Sequence, residues 1–339
     1  MSEDFRDATF DFGLEPGEDF DPTPGDDAAF DPSQPHVMTA LGPIDPGSLG
    51  FCLHHEHVIC KPLDVGADDP DLLLDDSTKA AAELEAFFAL GGRAVVDMTP
   101  ADYGRDIAGI IWVARRSAVH VIVVTGHHKD RHAAPHLGGM GANEIAAVNV
   151  REVVEGIDGT TVRAGVIKAG TSLNRITEVE ERVLRAAARA HLETGAPIST
   201  HTDRGTMALE QIAILREEGV DPARVIVGHL DFALDEAYLR RVLESGATVS
   251  FDQFSKTKYA ADETRAAMVR TLVDAGHAGQ ILISGDLARK SYQLAYGGSP
   301  GFVYFVEQVP LLLMEAGLDA PTVRRIFVDN PARALTIQR

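Results

Sequence analysis

Eight short apolar runs recur along the chain, separated by amphipathic segments, and this alternation constrains the fold more than any other feature. The first run is GFCLHHEH at residues 50–57, and the last is QILISGD at residues 280–286. The runs are continuously apolar, as expected of strands that are buried on both faces. Strands alternating with helices build a parallel sheet. The sequence therefore predicts an α/β fold, a (β/α)8 TIM barrel, with a small hairpin at VMTALG and IDPGSLG before it.

A doubly wound open sheet is the competing architecture. Such a sheet binds its ligand at one switch point, often through a GxGxxG segment after the first strand. This chain has no GxGxxG there, and polar residues close nearly every apolar run. The barrel is therefore favoured, and 339 residues is a length that barrels reach as one domain.

The first 36 residues differ in composition from the rest. From Met1 to His36 there are eleven acidic residues against one base, Arg6, together with five prolines and no helical periodicity. This composition is typical of a disordered segment. We predict a disordered acidic tail over residues 1–36, either a solvated extension or an arm that wraps a neighbouring subunit, and a barrel domain over residues 37–339.

Charge and hydropathy exclude several classes of partner. The formal net charge of -20 produces a surface that repels nucleic acid and anionic lipid. No apolar stretch is long enough to span a bilayer, and no charged-apolar-small leader opens the chain. We expect a cytoplasmic protein that acts on a small molecule. The only cysteines, Cys52 and Cys60, are predicted to be buried thiols rather than a disulfide scaffold.

Six chemically versatile side chains stand where predicted strands end. In a barrel the carboxyl ends of all strands meet on one face, so these residues should converge there. A single polar residue at a strand end is more often hydrogen-bonded within the protein than bound to a metal. The presence of six such residues at strand ends favours a metal-binding site. They are His55 and His57 in LHHEHV, Lys168 in VIKAG, His201 in ISTHT, His229 in VIVGH and Asp286 in ILISGD.

The order of the strands suggests how this set divides. Two residues apart on a strand, His55 and His57 should share a face, while His54 should face the opposite side in a structural role. Barrel closure brings Asp286 beside the pair, and the adjacent strands that end in His201 and His229 allow these two residues to share a second ion.

The chemistry of the set suggests a pair of metal ions. A protonated Lys168 would be repelled by two cations, whereas its carbamate would be an anionic bridging ligand. Imidazole and carboxylate donors suit zinc, and manganese, iron or cobalt also fit.

From about residue 41 to residue 337 the chain resembles the phosphotriesterase family of the amidohydrolase superfamily. The similar segments are GFCLHHEHV, VDMTPADYGRD, VIKAG, TGAPISTHT, VIVGH, SGD and DNPARAL. The resemblance implies a metal-dependent hydrolase, commonly a homodimer, in which a bridging hydroxide attacks the substrate and Asp286 takes up the proton. It also implies a ligand assignment: His55, His57 and Asp286 for one ion, His201 and His229 for the other, and carboxylated Lys168 as the bridge.

Three loops suggest the substrate. TGHHKD contributes His127, His128 and Lys129, SKTKY contributes Lys256 and Lys258, and GDLARKSY contributes Arg289, Lys290 and Tyr292. Cations near a catalytic site commonly bind phosphate or carboxylate, although most surface cations are merely solvated. These segments resemble the branch of the family that hydrolyses phosphorylated sugar lactones. That branch implies phosphate binding by Lys258, Arg289 and Tyr292. We also predict that His127 and His128 line the pocket and that His128 and Lys129 contact the substrate.

We therefore predict a lactonase that opens a phosphorylated sugar lactone. The alternative is a phosphotriesterase or an amide hydrolase that uses the same metal centre. A metal-free lyase that forms a Schiff base at Lys168 and a non-catalytic binding protein are less favoured, the latter because no ligand position is missing.

Overall fold

The computed structural model of the protein describes residues 34–62 and 68–339. Residues 1–33 of the predicted tail lie outside the described residues. His36, at the predicted boundary, already belongs to the folded unit, because its backbone exchanges two hydrogen bonds with Ile337. The predicted hairpin is present as antiparallel β1 (Val37–Thr39) and β2 (Gly42–Ile44). Its second strand precedes most of the predicted IDPGSLG segment, in which Pro46–Ser48 form a 3-10 helix instead.

Across the described part of the chain, eight parallel strands form a nearly closed barrel, and their order around it is their order in the sequence. The predicted TIM barrel is confirmed. Strands rich in valine and isoleucine fit a pleated surface that is covered on both sides. They are β3 (Phe51–Glu56), β4 (Gly92–Asp97), β5 (His120–Gly126), β6 (Val166–Thr171), β7 (Ile198–Thr202), β8 (Val225–Val227), β9 (Thr248–Phe251) and β10 (Ile281–Ile283).

Helices cover the outside of the barrel. Side-chain caps begin several of them: Asp76 accepts from two backbone N–H groups of the first helix, and Thr177 with Glu180 forms a capping box on the fifth. The helices are α1 (Ser77–Ala89), α2 (Ile107–Ser117), α3 (Asp130–Leu137), α4 (Ala142–Val154), α5 (Glu178–Thr194), α6 (Ala208–Glu217), α7 (Glu236–Glu244), α8 (Asp262–Leu272), α9 (Val303–Glu307), α10 (Val309–Glu315), α11 (Ala320–Arg324) and α12 (Asn330–Leu335).

Two segments differ from the sequence prediction. The loop expected after the third barrel strand contains α3, whose polar sequence around Pro135 shows no apolar stripe but which buries Ala133 and Leu137. The sequence pattern over residues 302–316 predicts a single helix, but the structure divides this segment at Gln308 into α9 and α10. Pro310, in the first turn of α10, lacks the N–H that would have continued the earlier helix.

The barrel closes between β3 and β10 through side chains and loop backbone. Ser284 Oγ lies 3.1 Å from His55 N, and Asp286 N donates to His55 O at 3.0 Å. Glu56 accepts from Gly285 N at 2.6 Å and from Leu287 N at 2.9 Å. The loop after β10 is thereby tied to the end of β3, which sets the position of Asp286.

Apolar side chains fill the barrel below the strand ends. This inner cluster includes Val96, Ile122, Val166, Ile226 and Leu282, all buried. Because successive strand residues face opposite sides, Lys168 points inward with Val166. In the portion of the chain that the structure describes, no helix combines the length and the apolar character needed to cross a membrane.

Candidate metal centre

The structure brings the first predicted set of ligands together. One donor atom each of His55, His57 and Asp286 lies within 4.8 Å of the others. Within this group, His57 Nε2 is 3.5 Å from Asp286 Oδ1. Three donors at these separations can surround one divalent cation.

The second predicted set is arranged differently from the expectation. His229 groups with His55 and with Asp252, a residue that sequence reasoning gave no role. The His229 ring lies 4.7 Å from the His55 ring and 4.5 Å from the His201 ring, measured between centroids. His201 is therefore adjacent to the cluster through His229, although it completes no three-donor group among the described residues.

Several ring nitrogens in the cluster have no hydrogen-bond partner within the described structure. They are both nitrogens of His55 and Nε2 of His201, and all are buried. Leaving a buried polar atom unpaired costs about 1–3 kcal/mol, and a neutral imidazole nitrogen is a common metal ligand. The residues therefore fit a divalent cation.

Hydrogen bonds behind the cluster orient its rings. His229 Nδ1 donates to Asp252 Oδ1 at 2.7 Å, and His57 Nδ1 lies 2.7 Å from Thr99 Oγ1, which donates to Asp97 at 2.6 Å. Such contacts fix the tautomer that leaves Nε2 for a metal. The only sequence signal for Asp252 was its position as the polar residue that closes the run TVSFD.

The side chain of Lys168 is buried within the same cluster. Its Nζ donates to Met98 O at 2.6 Å, and burial lowers the pKa of its ammonium group. Burial also lowers the pKa of His55 and His57, and the Lys168 charge lowers both further. Gly126 makes room for this strand end, because a Cβ there would clash with the Lys168 carbonyl oxygen.

His54 does not lie where the strand period placed it. Its Nε2 is 2.7 Å from Ser250 Oγ on β9, two strands away around the barrel, so the ring lies inside rather than on the opposite side. The ladder between β3 and β4 shifts register between Leu53 and Glu56. This irregularity lets the neighbouring His54 and His55 both reach the interior, which a regular strand would forbid.

Two residues of the cluster have a left-handed backbone. His229 has φ 62° and Asp286 has φ 45°, a region that non-glycine residues enter at a cost of about 1–3 kcal/mol. Strained residues of this kind concentrate at functional sites.

The residues predicted to bind phosphate differ in their partners: Lys258 contacts Tyr292, whereas Arg289 is paired with carboxylates. Lys258 Nζ donates to Tyr292 OH at 2.8 Å, so these two predicted phosphate ligands are in contact. Arg289, one turn before Tyr292, pairs with Asp69 at 2.8 Å and with Asp71 at 3.3 Å. No pattern in the sequence predicts this neutralisation of Arg289.

The loop after β5 contributes one wall of the site. The buried His128 ring lies 4.5 Å from the His201 ring and 5.1 Å from that of Tyr103. Lys129 Nζ is 2.6 Å from Asp203 Oδ2, so its charge is balanced within the protein. His128 therefore borders the predicted ligands, whereas Lys129 is held to a neighbouring loop.

A further cation contacts the cluster directly. Lys256 is buried, and its Nζ lies 2.8 Å from Asp286 Oδ2. Although burial opposes it, the Lys256 charge and the His57 hydrogen bond hold the pKa of Asp286 well below its usual range. This shift favours the carboxylate form of Asp286, which is the form that can bind a cation.

The fold and this cluster define a (β/α)8 barrel with a candidate divalent-metal centre at the carboxyl ends of its strands. The Phosphotriesterase family matches residues 35–335. The chain belongs to the phosphotriesterase family, as the sequence segments predicted.

Relatives match over nearly their whole length. A phosphotriesterase homology protein of Escherichia coli is 36% identical over 285 residues, 84% of this chain and 97% of the relative. Its crystal structure, complexed with phosphate in the active site, has a TM-score of 0.82 at 35% identity and covers 86% of this chain and all of that one. A phospho-furanose lactonase of Mycoplasmopsis synoviae is 32% identical over 88% of this chain and 91% of its own length. The crystal structure of a lactonase from Listeria monocytogenes has a TM-score of 0.86 at 38% identity, and covers 90% of this chain and all of that one.

Proposed function

We propose that this protein is a metal-dependent lactonase that opens phosphorylated sugar lactones. The observation that carries the proposal is the proximity of the histidine–carboxylate cluster to the Lys258–Tyr292 pair. Lys256 links them, because its Nζ lies 2.8 Å from Asp286 Oδ2 and 5.5 Å from the centroid of the Tyr292 ring. Relatives named as a lactonase and as a phospho-furanose lactonase support it. So does the related barrel that has phosphate in its active site.

Two divalent cations would be held by the predicted set. His55, His57 and Asp286 would hold one, His201 and His229 the other, and carboxylated Lys168 would lie between them. The donors suit zinc, and manganese, iron or cobalt would also fit. When bound, such ions supply Lewis acidity, which makes hydroxide available near neutral pH and polarises a carbonyl oxygen.

The residues of the chain supply positioning and proton transfer. Asp252 and Thr99 orient the His229 and His57 rings from behind. In the proposed reaction, Asp286 accepts a proton at its carboxylate from the attacking water and returns it to the ring oxygen that leaves. The buried walls around the cluster, including His128, limit access of bulk water.

The phosphate of the substrate would bind at Lys258 and Tyr292. Their polar atoms are 2.8 Å apart, so both can reach one phosphate group. Lys258 has no carboxylate partner among the described residues, and its hydrogen bond to Tyr292 raises its pKa. Arg289, oriented by Asp69 and Asp71, would offer its remaining N–H groups from the same turn.

The test joins elemental analysis to a substrate screen. We expect two metal ions per chain, loss of activity after chelation, and the highest kcat/KM for a sugar lactone that bears phosphate. The same lactone without phosphate, an aryl phosphotriester and an N-acyl amine are the comparison substrates. Activity that survives complete chelation, or a higher kcat/KM for the amide or the phosphotriester, would contradict the proposal.

A further inference from the structure

We propose that Lys256 is a positioning residue that holds Asp286 so that a single carboxylate oxygen faces the metal. This inference rests on the proposed function, in which Asp286 is a metal ligand. It concerns a residue outside the predicted ligand set, which the sequence presented only as one of two lysines in SKTKY.

The contacts of Lys256 define the role. Its Nζ lies 2.8 Å from Asp286 Oδ2 and 2.8 Å from the Asp286 carbonyl oxygen. The other carboxylate oxygen, Oδ1, is the one that faces His57 Nε2. One ammonium group therefore engages both the backbone and one carboxylate oxygen of Asp286, and leaves the second oxygen directed to the cluster.

Asp286 needs such support because its backbone is strained. Its φ of 45° lies in the left-handed region, which an aspartate adopts at an energetic cost. Its N–H donates to His55 O on β3, and its carbonyl accepts from Ala288 N at 2.8 Å in addition to Lys256. Without Lys256 the backbone would keep two bonds, but Oδ2 would lose its ion pair and keep only a 3.4 Å hydrogen bond from Gln253 Nε2. The carboxylate would then be freer to rotate about χ1 and χ2.

Lys256 is in turn fixed by a rigid support. The preceding residue, Ser255, has φ 74°, and its N–H donates to both carboxylate oxygens of Asp262 at 3.0 and 2.8 Å. Asp262 also accepts from Arg265, which is fully buried, and from Tyr304 OH at 2.7 Å. The turn before Lys256 is therefore strained and is held in place by a buried ion pair, which fixes the position of the Lys256 backbone.

The neighbouring Lys258 provides the contrast. Lys256 is 6% exposed, and its Nζ lies 5.5 Å from the centroid of the Tyr292 ring without bonding the hydroxyl group. Lys258 is exposed and donates to that hydroxyl group. A buried ammonium group is stable only when it is paired, and the partner of Lys256 is the candidate metal ligand itself. We therefore assign the two lysines different roles, ligand positioning for Lys256 and substrate binding for Lys258.

The experiment compares Lys256→Met, Lys256→Arg and Lys258→Met in the full-length, metal-loaded protein. Metal release into excess chelator is followed by elemental analysis, and kcat and KM are measured separately with a lactone. Loss of a group that orients a metal ligand typically lowers metal affinity or activity by about 10–100-fold. We expect Lys256→Met to release metal at least about 10-fold faster and to lose kcat by a similar factor, with little change in KM. Lys256→Arg should restore part of both, and Lys258→Met should retain metal like the wild type.

Two results would overturn the inference. One is wild-type metal release in Lys256→Met with an altered KM, which would make Lys256 a substrate-binding residue. The other applies if Lys256→Met does not fold, as judged by circular dichroism. Tyr304→Phe then serves as the test variant, because it removes the hydrogen bond from Tyr304 OH to Asp262 and weakens the support of Lys256. Metal release at the wild-type rate in Tyr304→Phe would contradict the positioning role. A wild-type protein that holds no metal would instead reject the proposed function, which keeps the two failures distinguishable.

Discussion

Replacing Lys258 by methionine tests the phosphate site most directly. The substitution keeps an unbranched apolar side chain but removes the charge that lies 2.8 Å from Tyr292 OH. A hydrogen bond to a charged group contributes about 1.5–3 kcal/mol, but solvent screening reduces the contribution of an exposed charge to about 1 kcal/mol. At 1.4 kcal/mol per tenfold change, kcat/KM for a phosphorylated lactone should fall about 5-fold.

The assay measures kcat/KM for one sugar lactone with and without its phosphate, at low and high salt. The loss should appear only with the phosphorylated substrate and should shrink as salt screens the charge. Tyr292→Phe is the matched control, because it removes the hydroxyl group and leaves the cation. Equal losses of kcat/KM for both lactones in Lys258→Met would refute the phosphate assignment.

Arg289→Met should be more damaging than Lys258→Met. Arg289 neutralises Asp69 and Asp71, so its removal would expose two carboxylates to an anionic substrate as well as removing N–H donors. We therefore expect a larger fall in kcat/KM for the phosphorylated lactone than for its analogue. A smaller effect than that of Lys258→Met would show that these acids do not face the substrate.

Three further substitutions test the cluster and the fold. Lys168→Ala should lose metal and activity, with partial recovery in short-chain carboxylic acids plus metal, and full activity without additives would rule out a bridging role. Asp252→Asn should weaken the orientation of His229 and lower metal affinity or kcat by about 10–100-fold, measured by chelator competition and kinetics. Glu152→Gln leaves the buried Arg105 side chain with the exposed carboxylate of Asp158, 3.5 Å away, as its ion-pair partner. It should therefore cost about 3 kcal/mol of unfolding free energy, the lower end of the range for breaking a buried pair, measured by urea denaturation. Burial raises the pKa of Glu152, but Arg105 outweighs it and lowers that pKa below its usual value. The difference in unfolding free energy between Glu152→Gln and the wild type should therefore be complete above about pH 4.5 and should disappear as the pH falls through the folded-state pKa. A difference that does not change with pH would contradict this.

Much of the site could be predicted because barrel topology converts strand ends into neighbours. Apolar runs identified the strands, and the residue that closes each run then lies on one common face. His55, His57 and Asp286 meet in the structure for this reason, although Asp286 lies more than two hundred residues after the two histidines in the sequence. The family resemblance added the expected roles, and the family itself is confirmed.

Other features depended on local geometry that no periodicity reveals. The register shift in β3 brought His54 inside the barrel, where a regular strand would have turned it away. The helix α3 formed from a polar segment because its few apolar residues found tertiary contacts. In both cases packing outweighed the intrinsic preference of the local sequence.

By itself, the sequence determined the barrel, the ends of its strands and the identity of the side chains placed there, because these follow from short-range periodicity and a closed topology. Only the tertiary structure decided which partner each lysine and arginine side chain contacts. Lys256 turns to Asp286 while Lys258 reaches Tyr292, and Arg289 pairs with acids more than two hundred residues away. The direction of a loop side chain depends on single backbone angles, such as the φ of 74° at Ser255, and on distant partners that meet only once the chain is folded.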